Sequence, residues 1–369
     1  MKILMISNDR GIVSADSDVQ KRMVAYGKLV RELHIVLFST KAHAVRGGRI
    51  SENVFVYPTH SFSRLFFILD AIRIGKKIKA PSLITTQDPY ETGVVGMHLA
   101  RKHKTKFQAQ LHTDIWSPYF LQSFLDRVRQ FLAKKTLKKA HCIRVVSERI
   151  RRSLIERGYT APIEVLPIFS DIESNMLRAE ALKERKKTYP FPFTILMAGR
   201  LEKEKNYVLA LSVLKEVREK GIDAGLVIAG KGSQKGTLTR KAHTLGIREH
   251  VRFVGHVDDM LPYFQNAHIL LHTSWYEGYG LTLIEAASAG LPIVTTEVGI
   301  AGKLLSHGTH ALLCKPGDSS CLTEQIAFVA EDKELGGNLA FNAKTRMKEH
   351  KITKREYLER IKEGWERCG

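Results

Sequence analysis

Short apolar runs alternate with polar, amphipathic stretches along almost the whole chain. In the first half the runs fall at residues 2–7, 34–39, 54–57, 83–86, 106–112, 142–147 and 163–167. Each is four to seven residues long. Runs that short are buried strands rather than helices, and a continuous apolar run fits a sheet covered on both faces. The intervening segments have helical spacing. One is expected from about 16 to 33, opening on Asp16, Ser17 and Asp18 as caps. Residues 64–79 and 126–139 give two more, each rich in cations. Strands alternating with helices imply a parallel sheet with helices on both sides.

After residue 170 the chain turns polar and charged, through 179–187. A second strand series then begins, at 193–198, 225–229, 251–254, 267–272, 292–295 and 311–314, with helices expected at 207–220, 320–329 and, by spacing, 353–365. The expected organisation is α/β throughout: a domain over 1–170, a surface helix and linker over 171–190, a second domain over 191–345, and a terminal helix within 346–369. No low-complexity segment or short repeat interrupts this pattern.

Two strand-to-helix turns in the second half carry chemistry. One reads Ser274-Trp-Tyr-Glu-Gly-Tyr-Gly-Leu and leads into an Ala-rich helix. It holds Glu277 and, eight positions on, Glu285. Gly278 and Gly280 let backbone approach a ligand, and the free N–H groups at the helix start favour phosphate. Carboxylates accept only, which suits the donating hydroxyls of a sugar. The other turn, Gly199-Arg-Leu-Glu-Lys-Glu-Lys-Asn206, carries Arg200 and Lys205, two cations able to grip a diphosphate. Gly230-Lys-Gly-Ser233 ends a third strand and can also approach phosphates. Cations for phosphate and carboxylates for hydroxyls describe a nucleotide-sugar site.

Gly-Arg-Leu-x-x-x-Lys-Asn followed by Glu-Gly-x-Gly-Leu-x-x-x-Glu-Ala resembles the retaining, metal-independent glycosyltransferases of the family 4 (group 1) type. The resemblance is strong over 193–320 and weaker before 190. It implies the GT-B fold, two Rossmann-like domains facing across a cleft, with the donor held mainly by the second. Carried over, it implies that Arg200 and Lys205 neutralise the donor diphosphate. It also implies that Glu277 contacts the transferred sugar, that Glu285 takes the ribose hydroxyls, and that backbone at Gly278, Tyr279, Gly280 and Leu281, with Gly199 and Gly230, holds sugar and phosphate. The donor would be UDP- or GDP-linked and no metal or other cofactor would be needed. In the first half it implies a role for His112 near the reacting sugar, with Gly11, Asp88 and Asp114 on the acceptor side. Two departures fall there: the first loop has Gly11 alone where many members have a Gly-Gly pair, and Pro167-Ile-Phe-Ser-Asp171 replaces a common Pro-Asn-Gly-Val-Asp.

Charge adds a second theme. The chain carries 58 Lys and Arg against 38 Asp and Glu, a net +20. Residues 1–190 hold 34 basic and 17 acidic groups, and 191–369 hold 24 and 21. An excess confined to one domain points to an anionic surface, and the basic amphipathic helices at 64–79 and 126–139 suit lipid headgroups. A solvated helix face would look the same. Charges and aromatic residues are not interleaved as a nucleic-acid stacking platform needs, so nucleic acid is not an expected partner. The expected partners are a nucleotide sugar, a glycan or lipid-linked acceptor, and the inner face of the cytoplasmic membrane, approached from the cytoplasm.

No run reaches the ~18 apolar residues of a membrane span. The opening residues read as a core strand rather than a signal. Cys142, Cys314, Cys321 and Cys368 show no metal spacing, and unpaired thiols in a reducing compartment are expected. Asp16-Ser-Asp18 and Asp258-Asp259 read as helix starts rather than metal ligands, and His98, His256 and His272 as structural. Two rival functions share these features: a sugar-nucleotide epimerase of the same fold, and an inactive scaffold that binds polyanions or membranes.

Overall fold

The computed structural model of the protein describes residues 1–121, 123–181 and 191–369. The chain divides into two compact units, one of Met1–Pro167 with Thr353–Gly369 and one of Ile168–Ile352.

In the first unit the elements run β1 (Lys2–Ser7), α1 (Asp18–Gly27), β2 (Glu32–Leu37), β3 (Gly48–Ser51), β4 (Val54–Pro58), α2 (Phe67–Gly75), β5 (Leu83–Thr86), α3 (Glu91–His103), β6 (Lys106–Leu111), α4 (Phe124–Leu137), β7 (Cys142–Val145), α5 (Glu148–Ile155) and β8 (Ile163–Val165). They form one sheet in the order β3-β4-β2-β1-β5-β6-β7-β8. Every described pairing is parallel except that of β3 on β4. Ile3, Leu4, Ile6, Leu33 and Ile35 are fully buried on adjacent strands, which explains why these runs lack polar alternation. The edge strand β3 escapes sequence reading because it is short, polar and half-exposed. Helix α1 stops at Gly27 instead of 33. The Asn53 amide takes the carbonyls of Gly27 and Val30, each at 2.8 Å, and the chain turns into β2. The segment at 64–79 divides into a tight turn, Arg64–Phe66, and α2.

The second unit runs α6 (Ile172–Ala181), β9 (Phe193–Ala198), α7 (Tyr207–Glu219), β10 (Ala224–Ala229), α8 (Lys235–Thr244), β11 (Val251–Gly255), α9 (Leu261–Asn266), β12 (Ile269–His272), α10 (Leu281–Ala289), β13 (Ile293–Thr296), β14 (Leu312–Cys314), α11 (Ser319–Glu331) and α12 (Lys333–Glu349). Its six strands are all parallel, in the order β11-β10-β9-β12-β13-β14.

Two boundaries differ from expectation. The stretch read as a linker from 171 contains α6, whose Ile172, Met176 and Ala179 lie on one face and are buried, the first two among the core residues of the second unit. Residues 182–190, which complete that stretch, lie outside the described residues. A boundary at 345/346 falls inside α12, which buries Leu339, Ala340, Ala343 and Met347. Gly336 and Gly337 in its first turns mask it in the sequence, while Asp332 caps it through Leu335 N–H at 2.9 Å. The terminal helix α13 (Lys354–Cys368) starts on a Thr353/Glu356 capping box and belongs to the first unit. There Trp365 is buried edge-on against Tyr26 at 5.8 Å.

The expectation of unpaired thiols is also corrected. The four cysteines form two disulfides, Cys142–Cys368 and Cys314–Cys321. The first joins β7 to α13 across a separation of 226 residues, which no local spacing could reveal. Among the described residues no helix is long and apolar enough to cross a membrane.

Candidate active site

In each sheet the first strand of the unit, β1 or β9, is flanked by a strand reached early and one reached late. That is a topological switch point, where the loops leaving the strand ends diverge and open a crevice. In the second unit the loops at this point are those after β9 and β12, the two turns that carry Lys205 and Glu277.

They meet there. The Lys205 ammonium is ion-paired with Glu277 Oε1, and both side chains are less than one-fifth exposed. His272, the last residue of β12, places Nε2 3.1 Å from the same oxygen. A carboxylate only accepts, so Nε2 carries the proton. Ser274 Oγ donates to Oε1 at 3.0 Å, and Thr295 Oγ1 sits 3.2 Å from His272 Nδ1. Burial alone would raise the Glu277 carboxyl, but the His272 hydrogen bond and the Lys205 charge outweigh it and hold it at about 2. Glu277 is therefore a fixed anion. All three donors reach Oε1, and no described residue hydrogen-bonds Oε2. Two of the three ammonium donors of Lys205 likewise remain for another acceptor.

The loops are locked from beneath. Thr273 Oγ1 donates to the carbonyls of Lys205 and Asn206, each at 3.0 Å. Trp275 N–H donates to the Glu204 carbonyl at 2.8 Å, and Tyr207 OH to that of Gly199 at 3.1 Å. Glu202 ties in the loop after β10, accepting from Ser233 N at 3.0 Å and from Ser233 Oγ at 2.7 Å. Gly230 is at φ +148°, and a side chain there would collide with the Gly199 carbonyl oxygen. Gly278 and Gly280 are buried, and Gly280, at φ +95°, is the N-cap of α10, which begins at Leu281. The Tyr279 carbonyl accepts from Ile300 N–H at 2.9 Å.

Two expected residues stand apart from this cluster. Arg200 is three-quarters exposed, with Nη2 3.1 Å from Glu204. Glu285, one turn into α10, is half-buried and has no hydrogen-bond partner among the described residues, and burial pushes its carboxyl up. Its carboxylate form is free to accept hydrogen bonds from hydroxyls.

In the first unit β1, β5 and β6 are adjacent, so the loops after them share one sheet edge. Asp88 accepts from Asn8 Nδ2 at 3.1 Å and from Tyr90 N–H at 2.8 Å, and burial raises it to about 6. Burial, with the charges of Arg144 and Arg22, lowers the His112 imidazole to about 3, so the ring is neutral. Its Nε2 lies 3.3 Å from Gln110 Oε1, which also accepts from Arg144 at 2.8 Å. Asp114 Oδ1 is engaged in its own loop, accepting from Trp116 N–H at 3.0 Å and Ser153 Oγ at 3.3 Å. Gly11 lies in the turn after β1, where its N–H donates to Asp9 Oδ1 at 3.0 Å. Asp18 opens α1 with Ser17 as its cap.

Residues 179–346 match the family Glycosyl transferases group 1, and residues 30–174 match Glycosyltransferase Family 4. The chain belongs to the group 1 glycosyltransferases of the family 4 type. It is 33% identical over 158 residues to the glycogen synthase of Mycobacterium tuberculosis, a match covering 42% of this chain and 38% of that protein. The fold is GT-B. Sucrose-phosphate synthase from Thermosynechococcus elongatus superposes with a TM-score of 0.79 at 16% identity, covering 100% of this chain and 99% of that one. Anabaena HepE, solved in complex with UDP and glucose, gives 0.72 at 20% identity over 98% of both chains.

His272, read from sequence as structural, is the residue the motifs missed, together with Ser274, Thr273 and Glu202. The signal was present: His272 ends an otherwise apolar strand five positions before Glu277.

Proposed function

We propose that this transferase moves a sugar, with retention of configuration and without a metal, from a UDP- or GDP-linked donor to an acceptor hydroxyl on a lipid-linked or cell-surface glycan. The observation that carries the reading is the partly buried Lys205–Glu277 pair at the switch point of the second sheet. The bond from the anomeric carbon to the phosphate oxygen breaks with its electron pair, and charge builds on the diphosphate. Lys205, Arg200 and the N–H groups opening α10 receive that charge; preorganised electrostatics of this kind is usually the largest catalytic term. Glu277 Oε2 accepts a hydroxyl of the transferred sugar, and Glu285 accepts those of the ribose. The acceptor hydroxyl attacks from the face the diphosphate leaves and gives its proton to a phosphate oxygen. His112, uncharged, lies on the acceptor side with Asp88, Asp114 and Gly11, where it can donate or accept a hydrogen bond without adding charge.

The glycan products of UDP and GDP sugars made by the purified protein test this reading. The reading expects a product with the anomeric configuration of the donor, formed in the presence of a chelator. An inverted product would overturn the stereochemical assignment, and loss of turnover on chelation would overturn the metal-free one.

A further inference from the structure

Most of the large apolar side chains that the first unit leaves in solvent gather in two segments, and both start at the same sheet edge as Asp88 and His112. The first segment enters α2: Phe62 is 84% exposed, Leu65 88% and Leu69 61%. The second enters α4: Phe124 is 81% exposed, Leu125 51% and Phe131 66%. A helix that returns a chain between parallel strands begins where the preceding strand ends, so both segments open at the C-terminal edge of the sheet. Contacts on that edge agree. Ser61 N–H donates to the Ser39 carbonyl beyond β2, and desolvation, with the charges of Arg10 after β1 and Arg64, depresses the imidazole of His43 after β2. Phe120 stacks on Tyr90, two residues after Asp88, at 6.4 Å. Helix α2 packs on α3, and α3 on α4, so the segments lie in one layer.

The exposed face of α4 also differs from the cationic face expected from sequence. Phe124, Val128 and Phe131 recur at helical spacing on its outer side, while its inner face buries Ala133, Thr136 and Leu137. Arg64 and Arg127 are exposed beside the apolar rim, and Lys134, Lys135, Lys138 and Lys139 extend the exposed positive charge to the far end of α4, roughly 15–20 Å along the helix from Phe124.

We propose that this rim inserts into the headgroup region of an anionic lipid bilayer and so brings the acceptor edge of the first unit to a membrane-embedded acceptor. Exposed apolar side chains with cations beside them and along the same helix are what an interfacial element needs. A second copy of the chain is a poor occupant, because each would bring the same excess of positive charge to the contact. The docking stands without the transferase reading, and only the statement about the acceptor rests on it.

Co-sedimentation with vesicles of phosphatidylglycerol and phosphatidylcholine, without donor, tests the proposal on wild type and on a Leu65→Ser, Phe124→Ser, Phe131→Ser variant. Wild type should pellet with these vesicles, be released by salt, and stay in the supernatant with phosphatidylcholine alone. The variant should lose at least about tenfold in partitioning while keeping the wild-type melting temperature and donor-induced shift. Wild type remaining in the supernatant, or the variant pelleting as well as wild type, would overturn the proposal. So would a wild-type dimer, abolished in the variant, with no vesicle binding. An absent donor shift in wild type alongside normal pelleting would instead count against the transferase reading alone.

Discussion

The Lys205 ammonium and the Glu277 carboxylate, on loops that leave neighbouring strands β9 and β12, form one partly buried ion pair. Each compensates the other's desolvation, so removing either leaves a largely desolvated charge, a loss of up to about 3–5 kcal/mol. Lys205→Met and Glu277→Gln should each lower stability in urea titrations by roughly that amount, while the double variant recovers most of it. Turnover should be recovered in none of the three. Restored turnover in the double variant would make the pair structural only.

The same pair sets an acid limit. The Glu277 carboxyl sits at 4.5 in its ordinary state and at about 2 in the fold. The unfolded chain therefore binds more protons across that interval, and the stabilisation is complete above the upper value and lost as pH falls through the lower one. Urea unfolding followed into acid should show wild type losing stability over this interval more steeply than Glu277→Gln.

Gly230 and Gly199 bring two loops into backbone contact. Gly230→Ala meets the Gly199 carbonyl and must hold φ at +148°, so both loops shift. Backbone strain of this kind costs on the order of 1–3 kcal/mol. The expected result is a lower melting temperature and weakened donor binding, whereas Gly236→Ala, in open surroundings on α8, should leave donor binding unchanged and should not lower the melting temperature.

The strand series, the order of the two units and the two turns that bring Lys205 and Glu277 together were legible in the sequence because each rests on local pattern: apolar runs, glycine turns and charged residues at fixed offsets. What was hidden rests on contacts distant in sequence. His272 reads as one more strand residue until β12 is set beside the Glu277 loop. Helix α12 hides behind Gly336 and Gly337. The apolar outer face of α4 is indistinguishable by periodicity from a buried one, and only packing shows which face Ala133 and Leu137 occupy.

The disulfide Cys142–Cys368 ties the terminal helix to β7. Closing a long loop restricts the unfolded chain, and such a bond contributes about 2–4 kcal/mol. Cys368→Ser should lower the melting temperature of the oxidised protein. A reductant should lower that of wild type further, because it also opens Cys314–Cys321, and should lower that of the variant only by the share of this second bond.

Donor binding to Lys205→Ala tests the central claim most directly, followed by calorimetric titration with UDP and GDP sugars beside wild type. The account predicts that wild type binds one of these donors and that the variant, still folded by circular dichroism, loses about 100-fold or more in affinity or turnover, as expected when a charge aimed at the leaving group is removed. A folded variant with wild-type affinity and wild-type turnover would contradict it.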